Sequence, residues 1–297
     1  MVQAESAYPR GSSLPVTTGG TRLRSEVKRS GLAYLLLSLG LAVMVAPFLW
    51  MVLGSFKTPD ELLRTPPTWI PEELTLRNYR RLFEELDFPR YFLNSTIIAG
   101  VTTASNLLFC SMVGYALAKL SFAGRDKLFA LILATLMVPG GVTLVPLFVL
   151  LSKLDLVNTL AGVILPGTVT ALGVFLMRQF MLGIPDDLLD AARIDGASEF
   201  RIFGQIALPL ATPALATLGI LTFLGSWNNF LLPLIVLTDD DKYNLPVALA
   251  TFAIGQYATD NGMLMAGSLV IILPVLVVFV ALQRYFTQGI ATTGLKG

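Results

Sequence analysis

Asp190, Arg193 and Asp195 stand close together in a run that reads LGIPDDLLDAARIDGASEFRIFGQIALPL, Leu182–Leu210. Their chemistry is recognition, not catalysis. The chain has no histidine, which removes the usual acid–base group and His metal ligands. A phosphate-cradling G-x-x-x-x-G-K-[ST] loop is absent, since Lys57 follows Phe56 and Lys296 follows Leu295. The single cysteine, Cys110, is too little for a zinc site or an internal disulfide and reads as a small apolar filler. What remains is pairing of the carboxylates with a partner's arginines. The small residues Ala191, Ala192 and Ala197 let a foreign surface come close. A second constellation is amide and aromatic: Asn94, then Trp227, Asn228, Asn229 and Phe230. Amides offer donors and acceptors to sugar hydroxyls, and an aromatic ring stacks on a sugar's apolar face. The same residue types also serve helix–helix packing, and that reading stands beside the first.

The elements that must hold the first group follow from capping chemistry. Pro185, Asp186 and Asp187 make a helix start, with carboxylates near the positive end of the dipole. A two-turn helix is expected over Asp187–Asp195, broken at Gly196, a residue suited to a left-handed exit or close backbone approach. Ser198 can cap a second helix that runs to about Ala207 and stops at Pro209, with Phe200, Phe203 and Ile206 on one face. An amphipathic helix lying on a membrane surface is the competing reading of this pattern.

Composition places all of this in a membrane. The mean hydropathy is +0.70, 54% of residues are hydrophobic and 14% are charged, against roughly 25% charged in soluble chains. A soluble enzyme is excluded, and a net charge of +1 gives no basic field for nucleic acid. Charge-free stretches long enough to cross a bilayer are Gly31–Phe56, Tyr91–Ala118, Leu128–Ser152, Leu156–Met177, Pro213–Leu237 and Asn261–Gln283. The expected fold is therefore an all-α membrane protein with six transmembrane helices. Residues 1–30 read as a disordered tail, 31–283 as the six-span domain with an inner loop over 182–210, and 284–297 as a second tail. Tyr243–Thr259 is apolar but short, and reads as a loop or re-entrant segment. None of the six spans carries an internal charge, which argues against a proton- or sodium-coupled carrier.

With the N-terminus inside, inner segments hold thirteen Lys and Arg against eight outside, so both termini are expected in the cytoplasm. The first outer loop, Thr58–Arg90, should carry an amphipathic helix capped by Thr75, with Leu76, Tyr79, Leu82, Phe83 and Leu86 on one side and Pro89 as its end. It reads as a helix lying across the outer mouth or as a docking surface for an extracellular partner.

Asp190–Pro209, DAARIDGASEFRIFGQIALP, resembles the EAA loop of bacterial ABC importer permeases. Ala191, Ala192, Asp195, Gly196, Ala197, Phe203, Ile206, Leu208 and Pro209 match, and Asp190 replaces the usual Glu with an arm one methylene shorter. YALAKLSFAGRDK (Tyr115–Lys127), SWNNFLLPL (Ser226–Leu234), LPVALATF (Leu245–Phe252) and RYFTQGIATTGLKG (Arg284–Gly297) are similar to the smaller permease of carbohydrate-uptake systems of the maltose and glycerol-3-phosphate types. The resemblance implies a type I ABC importer permease in the bacterial plasma membrane, not an enzyme. Its implied partners are a second homologous permease, two copies of a cytoplasmic ABC ATPase, and an extracellular solute-binding protein. ATP and magnesium would be bound by the ATPase, with no cofactor on this chain. Asp190, Ala191, Ala192, Asp195, Gly196 and Ala197 would form the ATPase-coupling element, and the C-terminal tail would also reach the ATPase. Import of a sugar is the expected function. Uptake of a sugar phosphate, a stand-alone carrier and a membrane-embedded enzyme are the alternatives, the last disfavoured by the missing histidine.

Overall fold

The computed structural model describes residues 20–254 and 260–293, the side chains within 33–254 and 260–281. Every regular element among them is helical. In chain order these are α1 (Gly20–Ser55), α2 (Pro59–Leu62), α3 (Arg77–Glu84), α4 (Phe88–Lys119), α5 (Arg125–Thr135), α6 (Gly140–Lys153), α7 (Leu160–Ile164), α8 (Ala171–Leu182), α9 (Asp186–Ile194), α10 (Glu199–Ile202), α11 (Leu208–Leu210), α12 (Thr212–Trp227), α13 (Leu231–Val236), α14 (Leu245–Ile254) and α15 (Asn261–Thr293). The chain divides at Trp50, within α1, and the second unit begins at Met51.

Four stretches are long and apolar enough to cross a membrane unbroken: Ala33–Ser55, Phe88–Lys119, Leu160–Leu182 and Asn261–Ala281. Two bent pairs bring the number to six if each counts as one span. The first is the expected third span, which is α5 and α6 meeting at 101°. Pro139 cannot donate a backbone hydrogen bond and takes the N-cap of α6, so the helix restarts there. The second pair turns by 80° between Glu199–Leu210 and Thr212–Trp227, with the segment before Thr212 set across α12.

Several boundaries differ from expectation. The first helix begins at Gly20, so residues 20–30, expected as tail, are helical; no proline follows Pro15 there to stop them. Residues 1–19 lie outside the described residues. Likewise α15 runs to Thr293, so most of the expected C-terminal tail continues the last helix, and 294–297 lie outside. The fourth span starts at Leu160, where Thr159 accepts a hydrogen bond from Gly162 N, and passes through a tight turn over Leu165–Gly167 before α8. The fifth breaks after Trp227 and resumes as α13. Tyr243–Thr259 contains the ten-residue helix α14, too short to span; residues 255–259 lie outside the described residues.

The outer-loop helix is α3, with Thr75 Oγ1 accepting from Arg77 N at 3.1 Å. It ends at Glu84, and Pro89 instead opens α4, because proline is tolerated in a first helical turn. Leu82 and Asn78 are its buried residues, whereas Leu76 and Phe83 are exposed. Asn78 Nδ2 donates to the carbonyls of Ser55 and Lys57 at 2.8 and 2.9 Å, and Arg81 pairs with Glu85 and Asp260. Of the expected apolar stripe, Tyr79 packs on the Phe56 ring and Leu82 and Leu86 join a buried cluster, while Asn78 adds a contact in which an amide satisfies two chain carbonyls.

The core of the second unit is built on α4, which packs against α8 and α12. Glycine lets α4 and α8 approach: a Cβ on Gly114 would lie 2.7 Å from Met177 Cβ and 2.9 Å from Arg178 N. Cys110 is fully buried at the same contact, as expected of a small filler.

Candidate functional site

The Leu182–Leu210 segment folds as helix, glycine, helix. Asp186 and Asp187 occupy the first turn of α9, after Pro185. Lys119, at the end of α4, donates from Nζ to Ile184 O and to Asp186 Oδ1, both at 2.6 Å. That side chain is only 4% exposed. The hydrogen bond from Lys119 holds the Asp186 carboxyl below its ordinary range. Leu189 is fully buried and anchors the helix from below. At the other end Gly196 takes φ +81°, with its N–H on Arg193 O and the Ala197 N–H on Ala192 O. These are the two bonds of a Schellman cap, which a left-handed glycine makes without steric cost. Ser198 then accepts from Arg201 N to start α10.

Asp190 is not a free acid. Arg193 Nη1 donates to Asp190 Oδ1 at 2.6 Å and Arg193 Nε to Glu199 Oε1 at 2.7 Å. Tyr115 of α4 donates its hydroxyl to Glu199 Oε2 at 2.7 Å. The chain Asp190–Arg193–Glu199–Tyr115 therefore runs from the loop surface into α4. Arg193 lowers the Glu199 carboxyl below its ordinary value, against some cost of burial. Asp190, Ala191, Ile194 and Asp195 remain exposed on the far side, while Ala192 and Ala197 pack partly against the core. Phe200 departs from the expected face and is 79% exposed, whereas Ile202 is fully buried. Ile202, two positions on and so on the opposite side of α10, turns inward with Phe203, Ile206 and Ala207 of the π-helical stretch Phe203–Ala207.

The amide and aromatic residues separate. Asn94 Nδ2 donates to Asp241 O and Tyr243 O at 3.0 Å, fastening α4 to the loop after α13. Trp227 is 2% exposed, stacked on Phe223 and edge-on to Phe92, with Nε1 donating to Ile271 O at 3.0 Å. Asn228 is exposed and donates to Leu224 O at 2.9 Å. Asn229 lines a cleft of about 400 Å³ between α4, α8, α12 and the turn after α7, with Thr102, Thr170, Thr222 and Ser226. Phe230 is half-buried at the start of α13. Of the five residues singled out from sequence, Asn229 alone is among those lining the cleft.

Residues 110–292 match the family described as binding-protein-dependent transport system inner membrane component. The chain belongs to this family. It is a multi-pass permease of the bacterial plasma membrane and not an enzyme. The arabinooligosaccharides transport system permease protein AraQ of Halalkalibacterium halodurans is 45% identical over 91% of this chain and 99% of its own length. The diacetylchitobiose uptake system permease protein NgcG of Streptomyces coelicolor is 36% identical over 90% of this chain and 89% of its own length. A chain from a crystal structure of a bacterial ABC transporter involved in the import of the acidic polysaccharide alginate superposes with TM-score 0.80. It covers 92% of this chain and 100% of that chain, at 23% identity, and so shows the shared fold.

Sequence reasoning missed the residues of the permease that fasten its loop. Lys119 and Tyr115 stand in the run that carries the family resemblance, but nothing there points to Asp186, 67 positions on, or to Glu199, 84 positions on. Arg178, one position past the expected fourth span, lies on α8, where Nε donates to Leu117 O at 3.2 Å and the guanidinium sits 3.9 Å over the Phe129 ring. Asn244 is 1% exposed and donates to Asn229 O at 2.8 Å, while its Oδ1 caps α14 at Val247 N. A lone asparagine in an apolar run was the available signal.

Proposed function

We propose that this permease is one of two translocation subunits of an ATP-driven importer for a neutral oligosaccharide, with Asp186–Leu210 as the element that a cytoplasmic ATPase engages. The observation that carries the coupling role is the exposed α9 face clamped to α4 at both ends. Lys119 holds its start, and the Tyr115–Glu199–Arg193 chain holds its exit. A force applied at Asp190, Ala191 or Ile194 would reach a transmembrane helix through short, charge-assisted bonds. The open space around Gly196, where a Cβ would meet nothing within 4 Å, suits a surface completed by another protein.

The family supports partners of the ABC importer type, and the proposed assembly is the following. A second permease, two ATPase copies that bind ATP and magnesium, and an extracellular solute-binding protein complete the importer. The lysine and arginine bias puts the loop and both termini in the cytoplasm. The last residues, from Ile290 on, are a second ATPase contact. Sugar is the substrate class because the relatives named above are permeases of oligosaccharide systems. Sugar phosphate is the weaker reading: among the described residues no lysine or arginine lines the cleft.

Reconstitution tests this directly. The purified single chain should hydrolyse no ATP. The full importer in proteoliposomes should hydrolyse it faster when sugar-loaded binding protein is added, with accumulation of the sugar. Hydrolysis by the single chain, or uptake without the ATPase, would sink the assignment.

A further inference from the structure

Thr102 is 5% exposed, lines the cleft, and has a hydroxyl with no hydrogen-bond partner among the described residues. Thr103, the next residue, is likewise without a partner among the described residues, whereas Thr96 bonds to Phe92 O, Ser105 to Val101 O and Ser111 to Leu107 O, at 2.6–2.8 Å. The Thr102 Cγ2 lies against Gly167, where a Cβ would come within 2.6 Å of that methyl. A buried hydroxyl left without a partner costs about 1–3 kcal/mol, and such groups call for a ligand or other partner.

The surroundings say what kind of ligand. Thr222 donates to Asn106 Oδ1 at 3.3 Å, which leaves its oxygen able to accept. Asn106 is fully buried and also donates to Gly167 O and Thr170 Oγ1, so it fixes two hydroxyl-bearing walls at once. The Asn229 backbone is pinned by Asn244, which holds that residue at the rim. Leu218 and Leu221 supply apolar wall beside these groups, and no charged residue is among those lining the cleft. Hydroxyl donors and acceptors next to apolar surface, without charge, match a sugar ring and mismatch an anion. Thr102 lies near the middle of α4, at mid-membrane depth if α4 spans.

We propose that the cleft between α4, α8 and α12 is a subsite on this chain for one uncharged sugar residue, with Thr102 Oγ1, Thr222 Oγ1 and the Asn229 side chain reading its hydroxyls. This rests on the importer reading above and deepens it. The sugar hydroxyl supplies the partner that Thr102 lacks.

The test uses the complete importer in proteoliposomes, with tritiated arabinotriose, lactose and diacetylchitobiose as probes. Thr102→Val keeps the shape and removes the hydroxyl. Because it replaces an unpartnered buried hydroxyl by a methyl, recovery of the complex should be unchanged or higher. Sugar carried per ATP hydrolysed should fall about fivefold, the worth of one hydrogen bond. Thr102→Ser keeps the hydroxyl and should restore most of that transport. Unchanged transport in Thr102→Val overturns the subsite, and so does loss of the partner permease from the purified complex in step with transport, since the cleft would then seat that subunit. A wild-type importer that hydrolyses ATP but takes up none of the three probes overturns the neutral-sugar reading and the subsite with it, an outcome distinct from the first two.

Discussion

Two helix breaks in this permease do opposite work. At Gly196 the chain turns through a left-handed residue with nothing near it, and the exposed sides of α9 and α10 face away from the core. At Asn228–Phe230 the chain turns without glycine, between α12 and α13, and is stitched inward by Asn244 below and the packed Trp227 beside it. The first break is a local device that presents a surface. The second is imposed by tertiary contacts and shapes a cavity wall. A break that presents a surface needs its own backbone solution, whereas one that closes a wall can borrow its stability from neighbours.

The sharpest way to break this contrast is Gly196→Val. A β-branched residue at φ +81° costs about 1–2 kcal/mol, and its side chain would stand on the presented surface. The spans should still insert, while the ATPase no longer co-purifies and uptake is abolished. Full uptake with the ATPase retained would remove the coupling role from this loop. Asp190→Lys, which reverses the exposed charge and repels Arg193, should give a similar loss of co-purification.

Trp227→Ala addresses the other break. Truncating a buried tryptophan costs about 3–5 kcal/mol, so recovery of folded permease should drop and uptake with it, in parallel. Asn229→Ala should instead lower uptake at unchanged recovery. If the two variants behave alike, the division between packing and cleft at this break is wrong.

A smaller effect is expected of Glu199→Gln, which weakens the link from Arg193 to Tyr115. Arg193 and Glu199 are both about a third or more exposed, so the pair is worth about 0.2–1 kcal/mol, and uptake per docked ATPase should fall about two- to fivefold. The pH dependence has a definite sign. Glu199 is held below its ordinary value by Arg193, so the pair contributes above the ordinary glutamate range and is lost only as pH falls through the lowered value. ATPase recovery should stay level from about pH 8 to about pH 5. A loss already within that interval would assign docking to another group.

Asp190→Glu should change least. The longer arm still reaches Arg193 three positions on, so uptake should stay near wild type. A large loss would mean that the 2.6 Å contact to Arg193 sets the surface geometry.

The amino-acid sequence by itself determined what depends on near neighbours along the chain. Charge-free length fixed where membrane helices lie, Pro185 and Ser198 fixed helix starts, and Gly196 fixed the turn between them, because each acts within about one helical turn. Only the tertiary structure decided the rest. Phe200 faces outward because Ile202, on the opposite side of α10, is the residue that packs in the core. The bond from Tyr115 to Glu199 spans 84 positions, and that from Asn94 to Tyr243 spans 149. Asn94, Trp227 and Asn229 carry similar chemistry in the sequence. What separates them is what each meets: Asn94 the loop after α13, Trp227 the carbonyl of Ile271 in α15, and Asn229, between α12 and α13, the cleft; a side chain's partner across a membrane bundle is set by packing, not by its type.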